Sequence, residues 1–327
     1  MTQRTPPEPS DDCYCKSRQV CLLRRHSSTN ERKVHMSNKV VVVTGASSGF
    51  GKLTVLELAR RGHTVVATMR DADGRNSAIC DELLDTAKAD GNPLHVLEMD
   101  VADDASVQSA INAVIAQHGR IDVLVNNAGL MPIGVTEAYT VADVERLFAV
   151  NVFGAVRTDR AVLPYMRAAG SGLLVQVTSL MGRFTVPFFG VYAASKFALE
   201  ALAETYRYEL RSFGIDSVIV EPGPFPSNLI SSSPQPSDAK VLEAYGDVAA
   251  VPGQIREHSD QQFDPANPPR PQLVADAIAT LVDATDRRPL RTVVMPDGMD
   301  FGVEQINAAV APIQNGVLTA MGMEAMI

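Results

Sequence analysis

The sequence predicts an α/β protein built on one doubly wound parallel sheet of about seven strands, with helices on both faces. Short β-branched runs alternate with helical stretches at crossover spacing, which calls for parallel strands. The first such run leads directly into a glycine-rich turn and then a helix. No internal repeat or second hydrophobic unit interrupts the alternation.

Residues 39–44, KVVVVT, have the unbroken β-branched character of a strand buried on both faces. After the glycine turn, residues 52–61 read as a helix stopped by Gly62. Strands are expected at 64–68 and 94–99, with a helix at 81–89 between them. A helix at 106–117 closes at Gly119, and the fourth strand covers 123–125. Residues 141–166 supply one or two long helices, with a break near 151–154. The fifth strand at 172–178, a long helix at 192–213 and a sixth strand at 217–220 follow. Beyond a long loop come a helix at 271–283, a seventh strand at 292–295 and a helix at 300–309. Right-handed crossovers then give a Rossmann-type sheet, one domain spanning residues 36–327.

The 327 residues, 46% hydrophobic, are enough for one large core. The net charge of -9 argues against a nucleic-acid binder working by general basicity. Residues 1–35 hold seven Lys/Arg against four Asp/Glu and show no hydrophobic period. They read as a disordered extension, with Met36 a candidate start; residues 20–23 are too short an apolar run for a secretory signal. No stretch approaches the ~20 apolar residues of a membrane span. Cys13, Cys15 and Cys21 crowd the extension and leave Cys80 alone in the body, so no disulfide framework forms and a cytoplasmic setting is expected. With His26 those three cysteines lack paired CxxC arms, and no metal site is expected.

The turn TGASSGFG places Gly45, Gly49 and Gly51 in GxxxGxG spacing. Glycines let a pyrophosphate approach a helix N-terminus, where free N–H groups and the dipole favour anions. Ser47 and Ser48 add hydroxyls. The bland alternative is a purely structural strand–helix junction. At the end of the second strand, where an acid would bond a ribose 2′-OH, stand Met69 and then Arg70. A guanidinium suits a 2′-phosphate, so NADP(H) is expected ahead of NAD(H). The alternative is a solvated Arg70 with Asp71 serving the ribose. Asp100 and Val101 are placed to meet adenine, although Asp100 could equally cap the helix beginning near Asp103. In NNAG, Asn126 and Asn127 can fasten neighbouring strands, and Gly129 allows close approach of a cofactor.

Tyr192 and Lys196, four residues apart on a helix, share one face. A phenol titrates near ~10, and an adjacent cation stabilises its anion and makes it a usable acid–base group. An isolated YxxxK is weak evidence, since such tyrosines usually just pack. Ser179 ends the fifth strand and can hold a carbonyl oxygen, or it caps a turn. Asn151 falls inside a helix, where its amide is disfavoured; it either orders a water beside Lys196 or is a satisfied core amide.

TGASSGFG, NNAG, Asn151, Ser179, YAASK and Pro222–Gly223, in this order from about residue 39 to 223, together resemble the short-chain dehydrogenase/reductase superfamily in its compact form. The resemblance implies a catalytic tetrad of Asn151, Ser179, Tyr192 and Lys196, hydride transfer at nicotinamide C4 and no metal. Tyr192 would act as general acid in reduction and general base in oxidation. Expected cofactor contacts are Gly45, Ser47, Ser48, Gly49, Phe50, Gly51, Arg70, Asp100, Val101, Asn127, Ala128, Gly129, Tyr192, Lys196, Pro222, Gly223 and Ser227, the last where many members carry Thr. A homodimer or homotetramer is also implied.

Residues 224–270 form a long Pro- and Ser-rich connection with a helical piece near 238–245, read as a substrate lid rather than a disordered insertion. Leu130, Met131, Phe184, Val186, Phe188, Phe189 and Phe225 can build an apolar pocket or belong to the core. The Met-rich tail covers that pocket or packs between subunits. The expected activity is NADP(H)-dependent interconversion of a hydrophobic ketone or aldehyde with its alcohol. The competing reading is a catalytically silent NADP(H)-binding regulator, which would not need all four members of the tetrad.

Overall fold

In chain order the strands of the computed structural model are β1 (Val40–Thr44), β2 (Thr64–Met69), β3 (Leu94–Glu98), β4 (Val123–Asn126), β5 (Gly172–Val177), β6 (Ile215–Pro222) and β7 (Arg291–Val294). Residues 38–327 are described, apart from 227–228, 231–232, 259–262 and 264–267. The expected extension at 1–35 with its cysteines, the candidate start Met36 and the cofactor candidate Ser227 therefore lie outside the described residues.

The strands pair in the order β3-β2-β1-β4-β5-β6-β7, and every pairing is parallel. The strand order reverses between β1 and β4, and it is at the carboxyl-end face of such a switch point that open α/β sheets bind ligands.

The helices that cover the sheet are α1 (Gly49–Arg60), α2 (Ser77–Ala89), α3 (Asp104–His118), α4 (Val141–Asn151), α5 (Phe153–Ala169), α6 (Gly190–Glu209), α7 (Ala239–Ala244), α8 (Val251–Glu257), α9 (Gln272–Asp283) and α10 (Val303–Ala320). The period-2 alternation of β1 explains the layering. Val41 and Val43 join one core with Val55 and Leu58 of α1 and Val274 and Ile278 of α9. Val40 and Val42 join the other with Ile111 of α3 and Val162 of α5. Both faces of each central strand are buried, as the continuous valine run requires.

Element ends follow local chemistry. Asp103 caps α3 by accepting a 2.7 Å bond from Ser106 N, and Gly119 closes that helix at φ 74°. Thr140 and Asp143 form a reciprocal capping box on α4. The expected break falls at Val152, between α4 and α5. Other boundaries differ from expectation. Helix α6 begins at Gly190 and ends at Glu209, with a short 3-10 turn at Arg211–Phe213. Helix α8 was not expected from its sequence, and α10 continues to Ala320 through Pro312, well past residue 309. It exposes Ile313, Val317 and Met321. Among the described residues no helix is long and apolar enough to cross a membrane.

Candidate active site

The glycine turn leaves β1 and enters α1 with Gly45 at φ 66° and Gly49 at φ 53°, the left-handed region that glycine adopts without penalty. A β-carbon on Gly45 would sit 2.8 Å from Ala128 Cα, and one on Gly51 would sit 2.4 Å from the Gly45 carbonyl oxygen. Only bare backbone fits this cradle. The first turn of α1 holds no acidic residue, and the Ser48 side chain makes no cap bond. The helix dipole therefore faces a concave, glycine-lined surface, and these residues fit a dinucleotide pyrophosphate.

The NNAG segment fastens this turn to β4. Thr44 Oγ1 accepts from Asn127 N and Ala128 N at 3.0 Å each. Asn127 Nδ2 donates to Thr44 O at 2.9 Å and to Gly45 O at 3.1 Å. Asn126 turns the other way, its Nδ2 donating at 2.7 Å to Asp159, which also accepts from Gln176. Burial pushes the Asp159 carboxyl up to about 7 against the pull of its bonds to Asn126 and Gln176. This buried knot was not anticipated. A lone Asp in a helix carries no sequence sign of being fully enclosed.

At the end of β2, Arg70 is exposed and its guanidinium makes no bond among the described residues. Asp71 is occupied elsewhere, accepting from Arg75 N at 3.3 Å and pairing with the Arg75 guanidinium at 3.5 Å. Glu98 clamps this bend through Asp71 N at 2.8 Å and Ala72 N at 2.7 Å. Asp100 accepts from Ala102 N at 2.9 Å and does not cap α3, since Asp103 does. Val101 is buried in the core and abuts Gly154, where a β-carbon would come within 2.9 Å of it. Pro222 ends β6, and Gly223 N donates to Val294 O at 2.8 Å.

Tyr192 and Lys196 share one face of α6 and are both buried. Lys196 Nζ lies 5.8 Å from the Tyr192 ring centroid and donates to Val177 O at 3.0 Å. Ser179, just past β5, accepts from Met181 N at 3.1 Å, and its hydroxyl faces the Tyr192 phenol. Burial raises the phenol to about 12, and the Ser179 hydroxyl only moderates the rise. The expected lowering of that phenol is thus reversed, because burial outweighs the help of its neighbours. Burial lowers the Lys196 amine to about 8, and the Glu200 carboxylate opposes that fall. At neutral pH the pair is therefore a protonated phenol beside a cation.

Asn151 is 1% exposed and its amide is fully engaged. Its Oδ1 accepts from Leu130 N at 2.8 Å, and its Nδ2 donates to Leu130 O at 2.9 Å and Ser195 Oγ at 3.0 Å. Ser195, overlooked although it lies inside YAASK, donates in turn to Tyr192 O at 2.7 Å. Gly129 sits in the angle between these groups: a β-carbon there would be 3.5 Å from Asn151 Oδ1 and 3.7 Å from Lys196 Nζ.

The fold thus gathers a glycine cradle on a helix N-terminus, a buried phenol–amine pair and a serine at one end of a parallel sheet. The family model for short chain dehydrogenase matches residues 39–237. The chain belongs to the short-chain dehydrogenase family. It is 33% identical over 261 residues to a 3-ketodihydrosphingosine reductase of Bacteroides thetaiotaomicron, covering 80% of this chain and 89% of that one. It is 35% identical over 259 residues to human 17-beta-hydroxysteroid dehydrogenase type 1, covering 76% and 75%. A solved short-chain dehydrogenase from Streptomyces avermitilis superposes with a TM-score of 0.67 at 32% identity, covering 87% and 96%. As a member of this family the protein is an NAD(P)-dependent oxidoreductase acting on alcohol or carbonyl groups.

The long connection after β6 docks on the loop that follows β4. Ser233 Oγ accepts from Met131 N at 2.7 Å, Tyr245 OH donates to Glu137 at 2.9 Å, and Arg256 donates to Ile133 O at 2.6 Å. Asp143 is the central tie: it accepts from Ser237 Oγ at 2.5 Å and from Thr140 Oγ1 at 2.8 Å. Of the expected pocket residues, Phe225 belongs to the core, edge-on to Phe50 at 5.7 Å. Leu130, Met131, Phe184, Val186, Phe188 and Phe189 stay half-buried at the carboxyl-end face.

The bonds from Ser237 and Thr140 hold the Asp143 carboxyl down at about 2. A depressed carboxyl stabilises the fold above its unfolded value of ~3.9, and that contribution is lost as pH falls toward about 2. Asp143→Asn should therefore cost about 2 kcal/mol at pH 7, since bonds to a buried charge are among the stronger ones. In thermal unfolding the gap from wild type should narrow below pH ~4 and close near pH 2. A gap independent of pH would contradict this assignment.

Proposed function

We propose that the protein is an NADP(H)-dependent carbonyl reductase or alcohol dehydrogenase for a hydrophobic substrate. Asn151, Ser179, Tyr192 and Lys196 are its catalytic constellation. The observation that carries the reading is the protonated, buried Tyr192 with the Lys196 cation 5.8 Å from its ring and the Ser179 hydroxyl facing its phenol. When bound, the nicotinamide gives or takes a hydride at its C4. Ser179 and Tyr192 bind the carbonyl oxygen between them, and Tyr192 donates its proton as the oxygen gains charge. Lys196 stabilises the phenolate left behind. Asn151 fastens the backbone of Leu130, next to the Gly129 that neighbours the Lys196 amine, and supports Tyr192 through Ser195. In oxidation the same phenolate takes the proton back. A silent regulator would not need all four side chains, and their presence in this chain favours the enzyme.

Preference for NADP(H) is supported by the exposed Arg70 guanidinium, unbonded among the described residues, and by Asp71 being tied up in its own bend. Arg70→Ala should weaken NADPH binding about 10- to 100-fold, the worth of a charge-assisted bond, and change NADH binding less than twofold. Equal losses in a fluorescence titration would remove the case for the phosphate.

The half-buried aromatics at 184–189 support a hydrophobic substrate. So does the connection after β6, which we read as a lid and whose Ser233, Ser237, Tyr245 and Arg256 dock on the segment after β4. The relatives named for a long-chain ketone and a steroid point the same way. An NADPH-oxidation screen over hydrophobic ketones and aldehydes, with small polar keto-acids beside them, tests this. Turnover confined to small polar carbonyls would refute it. A cytoplasmic, homodimeric or homotetrameric enzyme completes the proposal, and sedimentation of the full chain reads its assembly.

A further inference from the structure

Behind Lys196 lies a buried charge cluster that the reaction scheme leaves unused. Glu200 follows Lys196 by one turn of α6 and is 3% exposed. Its Oε1 accepts a 2.6 Å bond from the Thr178 hydroxyl, and its Oε2 accepts a 2.9 Å bond from Arg291 Nε. Thr178 directly precedes Ser179, so the first bond reaches the strand end that presents the substrate-binding hydroxyl. A β-carbon on Gly182 would stand 2.8 Å from Glu200 Cγ, so the turn after Ser179 closes over the stem of the same side chain.

The cluster extends to the far edge of the sheet. Arg291 on β7 also holds Glu204 at 2.9 Å and stands 3.5 Å from Glu221. Glu221, fully buried on β6, accepts a 2.7 Å bond from Asn307 of α10, with Arg183 4.0 Å away. Burial of an ion costs several kcal/mol even after relaxation, so a carboxylate placed here has to be answered by charge and hydrogen bonds. Arg291 answers Glu200 on one side. On the other is the equally buried Lys196, one turn earlier on α6. Its Nζ donates to Val177 O at 3.0 Å, next to the Thr178 that bonds Glu200. The Glu200 carboxylate opposes the fall that burial imposes on the amine.

We propose that Glu200 is a positioning residue that supplies the buried Lys196 ammonium with its counter-charge and locks the Ser179 strand end to the Lys196 helix. The inference rests on the catalytic reading of Ser179, Tyr192 and Lys196. The titratable and charged groups packed around the pair are Tyr192 and Glu204 on α6, Arg183 after β5, Glu221 on β6 and Arg291 on β7. Of the carboxylates, Glu200 is the one a single turn from Lys196 on α6; Glu221 lies on β6 and is pushed up to about 7, chiefly by burial and then by Glu200.

The test is a pH titration of the Lys196 Nζ resonance in the full chain labelled with 15N-lysine, assigned by its loss in Lys196→Arg. Glu200→Gln should lower the Lys196 midpoint by about one unit, the low end of what a nearby opposite charge supplies. The alkaline limb of kcat/KM should move toward acid by the same amount, and Glu200→Asp should restore most of the shift. Glu221→Gln, in the same cluster but not against Lys196, should leave the midpoint in place. If Glu200→Gln does not fold, Thr178→Val weakens the hold on ionised Glu200 and should shift the midpoint in the same direction. An unmoved midpoint in whichever variant folds, or an equal shift in Glu221→Gln, overturns the proposal. The resonance titrates without turnover, so a wild type inactive on carbonyls would count against the catalytic reading alone.

Discussion

Tyr192→Phe should lower kcat/KM for carbonyl reduction about 10³-fold, within the usual worth of a positioned general acid, and leave NADPH affinity within twofold. Tyr192 is 4% exposed and its ring packs identically in phenylalanine, so the change deletes only the hydroxyl that faces Ser179. Loss of a single buried bond costs about 1 kcal/mol of stability, too little to unfold the domain. Ser179→Ala should be milder in kcat, since the Tyr192 proton survives. The ratio of the two variants separates proton donation from oxyanion binding. A Tyr192→Phe enzyme with wild-type turnover would place the acid elsewhere.

The second large effect belongs to Gly45→Ala. Its φ of 66° is a left-handed conformation that costs an L-residue about 1–2 kcal/mol. Its new β-carbon would also meet Ala128 Cα at 2.8 Å, backbone that cannot move aside. The turn must open, and with it the bonds of Asn127 and Thr44. The expected outcome is loss of NADPH binding by at least about 100-fold, equivalent to roughly 3 kcal/mol, with a Tm several degrees lower. Gly49→Ala is the control. It has comparable φ, 53°, but nothing within 4 Å of the added carbon, so it should pay strain alone and lose far less affinity. Calorimetric binding of NADPH to the two variants distinguishes a cradle shaped by close approach from one shaped only by backbone conformation.

Much of this was legible in the sequence because its signals are local. The valine run of β1, the glycine that ends α3 and the spacing of Tyr192 and Lys196 each report on a few neighbouring residues. What escaped depends on contacts far apart in the chain. Asp159 is enclosed by Asn126 and Gln176, and Glu200 is met by Arg291 from a strand 91 residues away. Neither position looks unusual for a helix, where an acid is normally a solvated face. Phe225 was left open between pocket wall and core for a similar reason: only the structure shows it edge-on to Phe50 in the core. The direction of the Tyr192 shift also needed the structure. Sequence shows the cation four residues on and cannot show how completely the phenol is buried. Helix α10 ran on past residue 309 because Ala- and Val-rich turns after it continue the helix despite Pro312.

The central claim is direct hydride transfer to a carbonyl carbon at this site. It is tested by supplying NADPH deuterated at C4, in the 4R and 4S forms separately, with a hydrophobic ketone substrate. The product alcohol should carry deuterium on its carbinol carbon from one of the two forms and not from the other, and Tyr192→Phe should slow its appearance. Product formed without deuterium from either form would contradict the account.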